Sequence, residues 1–244
     1  DDIRQSLRPG VQHLYTVEWE TITRPGSSRR DFNREVVVGK GGLAKLLDLE
    51  NYSDIESLLS ANEMVGAELP GRVWLDLTKP ISLEEDEDAP GQIREEIFRI
   101  LEQVQAWLKE DRWVSGELIC VTRSMIETGR EEKAPGLVYS SLWGLLRTAR
   151  TEHPDRFLKT MDLGSEEISP RRLRSMVCVE NEPELAQRGV RFLAPRLRIA
   201  PEDTNSENID LSRNGTGTVL VTGGVGELGR ILSRHLVISH GVRH

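Results

Sequence analysis

The sequence predicts an α/β protein built around a doubly wound, mostly parallel sheet. Short β-branched or apolar segments alternate along the chain with amphipathic segments of helical period, which is the pattern of repeated βα units. The apolar segment Thr218–Thr222 is followed at once by a glycine-rich turn and another helical segment. The length of 244 residues, 37% of them hydrophobic, suits one to two globular domains.

The predicted strands are short and either β-rich or alternating in polarity. They are 14–20, 35–38, 72–77, 117–122, 157–163, 191–197 and 218–222. The last of these is expected to be a buried parallel strand. Pro195 is expected to place its strand at an edge or end of the sheet, because proline cannot donate a hydrogen bond to a neighbouring strand.

The predicted helices carry apolar residues three and four positions apart. The clearest one spans 97–108, where six apolar residues share one face: Ile97, Ile100, Leu101, Val104, Trp107 and Leu108. The other predicted helices are 43–49, 139–152, 171–177 and 227–240. The acidic run 84–88, together with Pro90 and Gly91, is expected to form a solvated loop.

Composition excludes several classes of protein. The net charge of −8 and a pI near 5.3 argue against a nucleic-acid surface, which needs clustered Lys and Arg. No apolar run reaches the roughly 18 residues of a membrane span, and the N-terminus is too polar for a secretory signal. Cys120 and Cys178 lie in apolar surroundings without a CxxC pair, so we expect two buried thiols in a cytoplasmic protein.

One segment carries a specific chemical signal. Gly223, Gly226 and Gly229 form a GxxGxxG spacing between a predicted strand and a predicted helix. Glycines there permit a tight turn and a close approach of the backbone to a pyrophosphate, while the helix N-terminus offers free N–H groups. A glycine turn without a ligand is the alternative. The run Gly39–Gly42 lacks both this spacing and the Walker arrangement, so we interpret it as a structural turn.

Other chemistries find no support in the residues. There is no GxSxG nucleophile motif. His235, His240 and His244 are spaced by five and four, which is expected to put them on different faces, so no metal site is predicted. No tyrosine is followed four positions later by Lys or Asn. No catalytic residue can therefore be assigned within this chain.

Several segments together resemble the ketoreductase domains of bacterial modular type I polyketide synthases. The opening strand Leu14–Trp19 is similar to theirs, and the stretch Gly136–Arg147 with Glu152–Phe157 is similar to their GLxxxxxWGLxRxxxxEHPxRF signature. Arg191–Leu197 matches the closing segment of their structural subdomain, and Gly217–Gly229 resembles the start of their catalytic subdomain. The segments occur in the family's order and extend over nearly the whole chain.

The resemblance implies a division of the chain. Residues 1–200 would be a truncated, Rossmann-like structural subdomain that binds no cofactor, and 201–217 would be a linker. Residues 218–244 would begin an NADPH-binding catalytic subdomain of the short-chain dehydrogenase/reductase superfamily, represented here by its first βα unit. The residues on the diphosphate side of NADPH would be Thr222, Gly223, Gly224, Gly226, Leu228 and Gly229. Val225 stands where the family usually has threonine.

The activity implied is reduction of a β-keto group to a hydroxyl with NADPH, in antibiotic biosynthesis. The substrate would be carried by an acyl carrier protein on phosphopantetheine, and neighbouring synthase domains would be further partners. The family's catalytic serine and tyrosine are not in these 244 residues, so we expect this chain alone neither to reduce ketones nor to bind NADPH tightly. A non-catalytic pseudo-ketoreductase scaffold is the main alternative, and a free-standing dinucleotide-binding regulator is a third.

Overall fold

A computed structural model describes residues 15–22, 32–79, 88–129, 137–179, 181–200 and 218–244. The chain divides into two compact units. One unit is Tyr15–Arg198, and the other combines Asp1–Leu14 with Ile199–His244. The predicted linker, 201–217, lies outside the described residues.

The first unit is built on an eight-stranded sheet in the order β1-β8-β7-β6-β5-β4-β2-β3. Strands β2 to β7 that pair with each other are parallel, and β8 runs antiparallel to β7. The strands are β1 Tyr15–Thr21, β2 Glu35–Gly39, β3 Asn51–Tyr52, β4 Arg72–Leu77, β5 Glu117–Arg123, β6 Phe157–Leu163, β7 Glu184–Arg188 and β8 Arg191–Ile199. After β2, the chain adds β3 on one side of β2 and then β4 on the other side. The order of strand addition therefore reverses at β2.

Helices cover both faces of this sheet. They are α1 Leu43–Leu47, α2 Ile55–Val65, α3 Ala89–Lys109, α4 Leu137–Glu152 and α5 Pro170–Val177, while α6 Glu227–His240 lies in the second unit. One hydrophobic cluster joins the sheet to α2, α3 and α4, and the other joins it to α1 and α5. The doubly wound, Rossmann-like α/β prediction is therefore confirmed. Of the described helices, none is both long and apolar enough to cross a membrane.

The structure contains two strands, β3 and β7, and one helix, α2, that the sequence did not predict. Strand β7 carries several polar side chains, and β3 is only two residues long, so neither shows a clear strand pattern in the sequence. Helix α2 has a signal in the sequence: the Asp54 side chain accepts a hydrogen bond from the Ser57 N–H, and the Ser57 side chain bonds back to the Asp54 N–H. Such a capping box marks a helix start.

Helix α3 begins earlier than its apolar period indicates. Asp88 caps it by accepting a hydrogen bond from the Gly91 N–H at 3.1 Å, so Pro90 and Gly91 lie in the first helical turn. The prediction of a loop at these two residues is wrong. Proline is tolerated there because the first helical N–H groups have no partner within the helix. Residues 84–87 of the acidic run lie outside the described residues.

Strand β8 corrects the expectation drawn from Pro195. It lies between β1 and β7 rather than at an edge. Its pairing with β7 ends at Ala186–Leu193, so Pro195 lies beyond the residues that need to donate to β7. A proline can thus occupy an inner strand at a position where no N–H is required.

The prediction of a buried strand at 218–222 is wrong for this structure. Leu220 is 87% exposed, and the described part of the chain pairs no strand with this segment. The Val219 N–H donates a hydrogen bond to the His244 carbonyl at 2.9 Å. An apolar sequence does not form a strand by itself, because a strand requires a hydrogen-bonded neighbour. The following helix, α6, spans the predicted residues 227–240.

Acid is expected to weaken the junction between α3 and β5. Glu110 bonds the Arg112 side chain at 2.7 and 2.8 Å, which lowers the pKa of Glu110 from 4.5 to about 2. Because the pKa is lower in the folded state, this contribution to stability is complete above about pH 4.5 and is lost as the pH falls toward 2. Urea unfolding at pH 5 and pH 3 should show a smaller loss on acidification for Glu110→Gln than for the wild type. Glu95→Gln, at an exposed position of α3, is the control, and equal losses in all three proteins would contradict the expectation.

Candidate functional site

The predicted phosphate-binding residues form a tight turn directly before α6. Gly223 has φ of +70°, in the region that side chains rarely adopt. The Gly224 N–H donates to the Val221 carbonyl at 3.2 Å, and the Gly226 N–H donates to the Gly223 carbonyl at 2.9 Å. The backbone therefore turns twice within six residues, and the first of these turns needs a glycine.

The last glycine of the motif allows α6 to approach the turn. A Cβ atom at Gly229 would lie 2.5 Å from the Gly224 Cα and 2.8 Å from the Gly224 carbonyl carbon, and it would also overlap the Gly223 carbonyl oxygen. These contacts involve backbone atoms, which cannot move aside without changing the turn. The close approach of α6 thus brings the Gly229 backbone into contact with the backbone of Gly223 and Gly224.

The N-terminus of α6 has the features of an anion-binding end. Gly226 is its N-cap, and no side chain caps the first turn. The free N–H groups and the positive end of the helix dipole favour a negative group there. Thr222 and Gly226 are exposed, and Leu228 is 83% exposed, so the turn is accessible. The hydrogen-bond donors of this turn are backbone N–H groups. Thr222 directly precedes the turn, and Leu228 lies in the first turn of α6.

The other glycine-rich turn is closed. It follows β2 at the point where β3 and β4 lie on opposite sides of β2, and in open α/β sheets ligands bind in the crevice at such a point. Here the buried Asp76 carboxylate, at the end of β4, accepts a hydrogen bond from the Leu43 N–H at 2.8 Å. A Cβ atom at Gly41 would overlap this carboxylate, and one at Gly39 would lie 2.6 Å from the Asp76 carbonyl oxygen.

Asp76 is a residue that the sequence reasoning missed. The signal was a single acidic residue that follows the apolar run 73–75 near the end of the strand, and such a residue identifies no partner by itself. In the structure its Oδ1 atom accepts hydrogen bonds from the Thr78 N–H at 3.0 Å and the Thr78 hydroxyl at 2.6 Å. The carboxylate is therefore held by both its own strand end and the start of α1. The Asp76 carboxylate therefore occupies the place at the start of α1 where a ligand's negative group would bind, and the turn is structural.

The histidines of α6 are closer together than their spacing suggests. The rings of His235 and His240 meet edge to face with centroids 5.1 Å apart, so the expectation that they lie on different faces is wrong. His240 ends the helix, where Gly241 adopts a left-handed conformation, and its ring packs against the preceding turn. Within the described ranges, no group of three or more His, Cys, Asp or Glu side chains could hold a metal ion.

Comparison with known families agrees with this architecture. A family model described as the Rossmann fold domain of the polyketide synthase extender module SpnB matches residues 17–197. The chain belongs to this family. The match includes nearly all of the first unit and ends before the glycine-rich turn at α6.

Relatives of this Rossmann-fold domain are large polyketide synthases. The spectinabilin polyketide synthase system protein NorA' of Streptomyces orinoci is 38% identical over 165 residues, which are 64% of this chain and 4% of that protein. Polyketide synthase GfsE of Streptomyces halstedii is 29% identical over 244 residues, which are 96% of this chain and 6% of that protein. The chain thus corresponds to a small part of each of these proteins.

Solved structures similar to this Rossmann-fold domain are ketoreductases. An A1-type ketoreductase superposes with a TM-score of 0.63 at 24% identity, covering 91% of this chain and 49% of that one. An A-type ketoreductase from a modular polyketide synthase has a TM-score of 0.59 at 26% identity, covering 77% and 43%. The chain is therefore a ketoreductase-like domain of the polyketide synthase type, and it spans about half the length of these ketoreductase structures.

Proposed function

We propose that this chain supplies the structural subdomain and the diphosphate-binding turn of a polyketide synthase ketoreductase. The complete domain would reduce the β-keto group of an acyl chain to a β-hydroxyl with NADPH, in the cytoplasm. The acyl chain would be held by an acyl carrier protein through phosphopantetheine, next to neighbouring synthase domains. The observation that carries this proposal is the geometry of the Gly223–Gly229 turn, with its open backbone at the start of α6.

The turn fits a dinucleotide diphosphate. The start of α6 has no side-chain cap, so its N–H groups are available as donors. Gly223, Gly224 and Gly229 carry no side chains, so a phosphate can approach the backbone of the turn closely. Thr222, Gly223, Gly224, Gly226, Leu228 and Gly229 would hold the diphosphate. NADPH, when bound, supplies the hydride.

The residues of this chain act by binding and orientation. Backbone N–H groups at the start of α6 would neutralise part of the diphosphate charge, and Gly223 would keep the turn in the conformation that presents them. The residue that supplies a proton to the reduced carbonyl is not assigned within this chain. The first unit would support the catalytic half through its continuous sheet and its two packed faces.

The test compares two glycine-to-alanine variants in the synthase polypeptide that carries this chain. Gly229→Ala places a Cβ against the turn backbone, whereas Gly144→Ala in α4 meets nothing within 4 Å. We expect Gly229→Ala to weaken NADPH binding by at least about tenfold, because an error of 1 Å in a binding site costs more than 1.4 kcal/mol, and Gly144→Ala to bind like the wild type. Fluorescence titration with NADPH measures the binding.

Two further arms complete the experiment. Turnover of a β-ketoacyl thioester by the synthase polypeptide, followed by loss of NADPH absorbance, supports a reductase, while NADPH binding without turnover supports the pseudo-ketoreductase scaffold. The 244-residue chain alone is expected to show no micromolar NADPH binding. The proposal fails if Gly229→Ala binds NADPH as tightly as Gly144→Ala does.

A further inference from the structure

A cleft of about 660 Å³ opens at the amino-terminal ends of the parallel strands, within the unit Tyr15–Arg198. It lies at the opposite end of the sheet from Asp76, and its volume is in the range of small-molecule sites. We call it the basic cleft, because its lining includes four cationic side chains but only two carboxylates, those of Glu117 and Glu182. The four cations are Arg72, Arg150, Arg156 and Lys159.

The carboxylates near the basic cleft are already engaged. Arg72 pairs with Glu117 at 2.9 Å and with Glu35 at 2.7 Å. Glu182 pairs with Arg196, which does not line the cleft. A third carboxylate, of Glu184, is shared between Arg150 and Arg147. One negative charge thus faces two guanidinium groups at this position.

The other two cations are held by neutral groups. The Lys159 ammonium donates to the carbonyls of Val177 at 2.7 Å and Val179 at 2.8 Å, at the C-terminus of α5. The Arg156 guanidinium donates to the Leu108 carbonyl at 2.6 Å, at the C-terminus of α3. Within the described residues, the hydrogen bonds of both side chains go to backbone carbonyls. An ammonium has three N–H donors, so Lys159 retains one beyond these two.

Helix capping explains part of this arrangement but not all of it. Cations near helix C-termini are stabilised by the helix dipole, and that accounts for the carbonyl contacts of Lys159 and Arg156. Partial charges on carbonyls do not replace a full counter-charge for a half-buried ammonium such as that of Lys159. Burial lowers the pKa of Lys159 and also that of Arg150. An anion in the cleft would supply a directly bonded counter-charge to Lys159 and Arg156, whose hydrogen bonds described above go to carbonyl oxygens.

We propose that the basic cleft binds a small organic anion, with its carboxylate or phosphate group beside Lys159 and Arg156. The apolar part of the ligand would contact Leu158 and Val177, which also line the cleft. This site is distinct from the glycine-rich turn at α6 and does not depend on the reductase proposal. In a chain with a net charge of −8, a local excess of cations around one cavity favours an anionic ligand.

The chain contains its own reporter of occupancy. Cys178 lines the basic cleft and is partly exposed, contrary to the expectation of two buried thiols. Cys120 is buried, and burial raises its pKa to about 12. Because thiolates rather than thiols react, neutral iodoacetamide should modify Cys178 and leave Cys120 intact in the folded protein. A bound ligand should slow this modification.

The test uses the full 244-residue chain with phenyl phosphate and benzoate as probes, at constant ionic strength. We expect calorimetry to give one site, and saturating probe to slow alkylation of Cys178 severalfold in the wild type. Lys159→Met should weaken binding by at least about tenfold, since it removes a charge-assisted contact. Lys45→Met, at an exposed position of α1 outside the cleft, is the control with the same change of charge and should bind normally.

The outcomes separate the two ligand classes. Tighter binding of phenyl phosphate assigns the cleft to phosphates, and tighter binding of benzoate assigns it to carboxylates. Binding that is equally strong in Lys159→Met overturns the proposal. Absence of binding by both probes, with unchanged alkylation of Cys178 in the wild type, also overturns it, and this measurement needs no variant to fold.

Discussion

Asp162→Ala is expected to lower the free energy of unfolding by about 3–5 kcal/mol, the usual cost of leaving one member of a buried ion pair without its partner. The Asp162 carboxylate is fully buried in β6 and pairs with Arg188 of β7 at 2.7 Å. It also accepts hydrogen bonds from the Thr122 hydroxyl at 2.6 Å and the Met125 N–H at 3.0 Å. Three parallel strands therefore meet at one carboxylate. Urea unfolding of wild type and variant measures the difference.

A double-mutant cycle separates the ion pair from general damage to the core. Asp162→Ala with Arg188→Met leaves no unpaired charge, so the double variant should be destabilised by less than the sum of the single variants. Glu95→Ala, at an exposed position of α3, is the control and should change stability little. A loss below about 1 kcal/mol for Asp162→Ala would show that the pair does not stabilise the fold.

Asp76→Ala is expected to have the next largest effect, a loss of about 2–4 kcal/mol in the free energy of unfolding, because it removes the acceptor of several buried donors at once. The Leu43 and Thr78 N–H groups bond its carboxylate at 2.8 and 3.0 Å, and both would lose their acceptor in a buried crevice. Asp76→Asn keeps one oxygen and should lose less. Thermal and urea unfolding measure both variants.

Gly41 gives a sharp check on this interpretation. Gly41 lies so close to the Asp76 carboxylate that a Cβ atom at Gly41 would overlap the carboxylate oxygens. Gly41→Ala should therefore destabilise the wild type, yet in the Asp76→Ala background the added methyl group finds room. The two substitutions should be strongly non-additive. Additive effects would mean that the carboxylate does not fill the space beside Gly41.

Local sequence pattern determined the elements that are buried on both faces. Strand β6 was predicted to the residue, and β4 likewise, because short segments rich in apolar residues and bounded by polar or turn residues leave little freedom in their bounds. The segment 218–222 has the same kind of sequence and forms no strand here. The difference is the neighbour: β4 pairs with β2 and β5, whereas no described strand pairs with 218–222.

The candidate site shows the same division. The GxxGxxG spacing predicted a turn before a helix, since glycine backbone freedom and helix period are local properties. The contact of Gly229 with Gly224 follows from that local geometry. The closed state of the turn at Gly39–Gly42 could not be predicted in detail, because Asp76 comes from another strand, 35 residues beyond Gly41.

The sequence by itself determined the α/β class, most helices and strands, and the glycine-rich turn at Gly223–Gly229. Tertiary structure alone decided which side chains meet: Asp76 with the start of α1, Asp162 with Arg188, and Lys159 with the end of α5. The physical reason is the range of the interactions. Backbone propensity and apolar period act within a few residues, whereas buried charges find partners only where the order of strands in the sheet brings distant segments together.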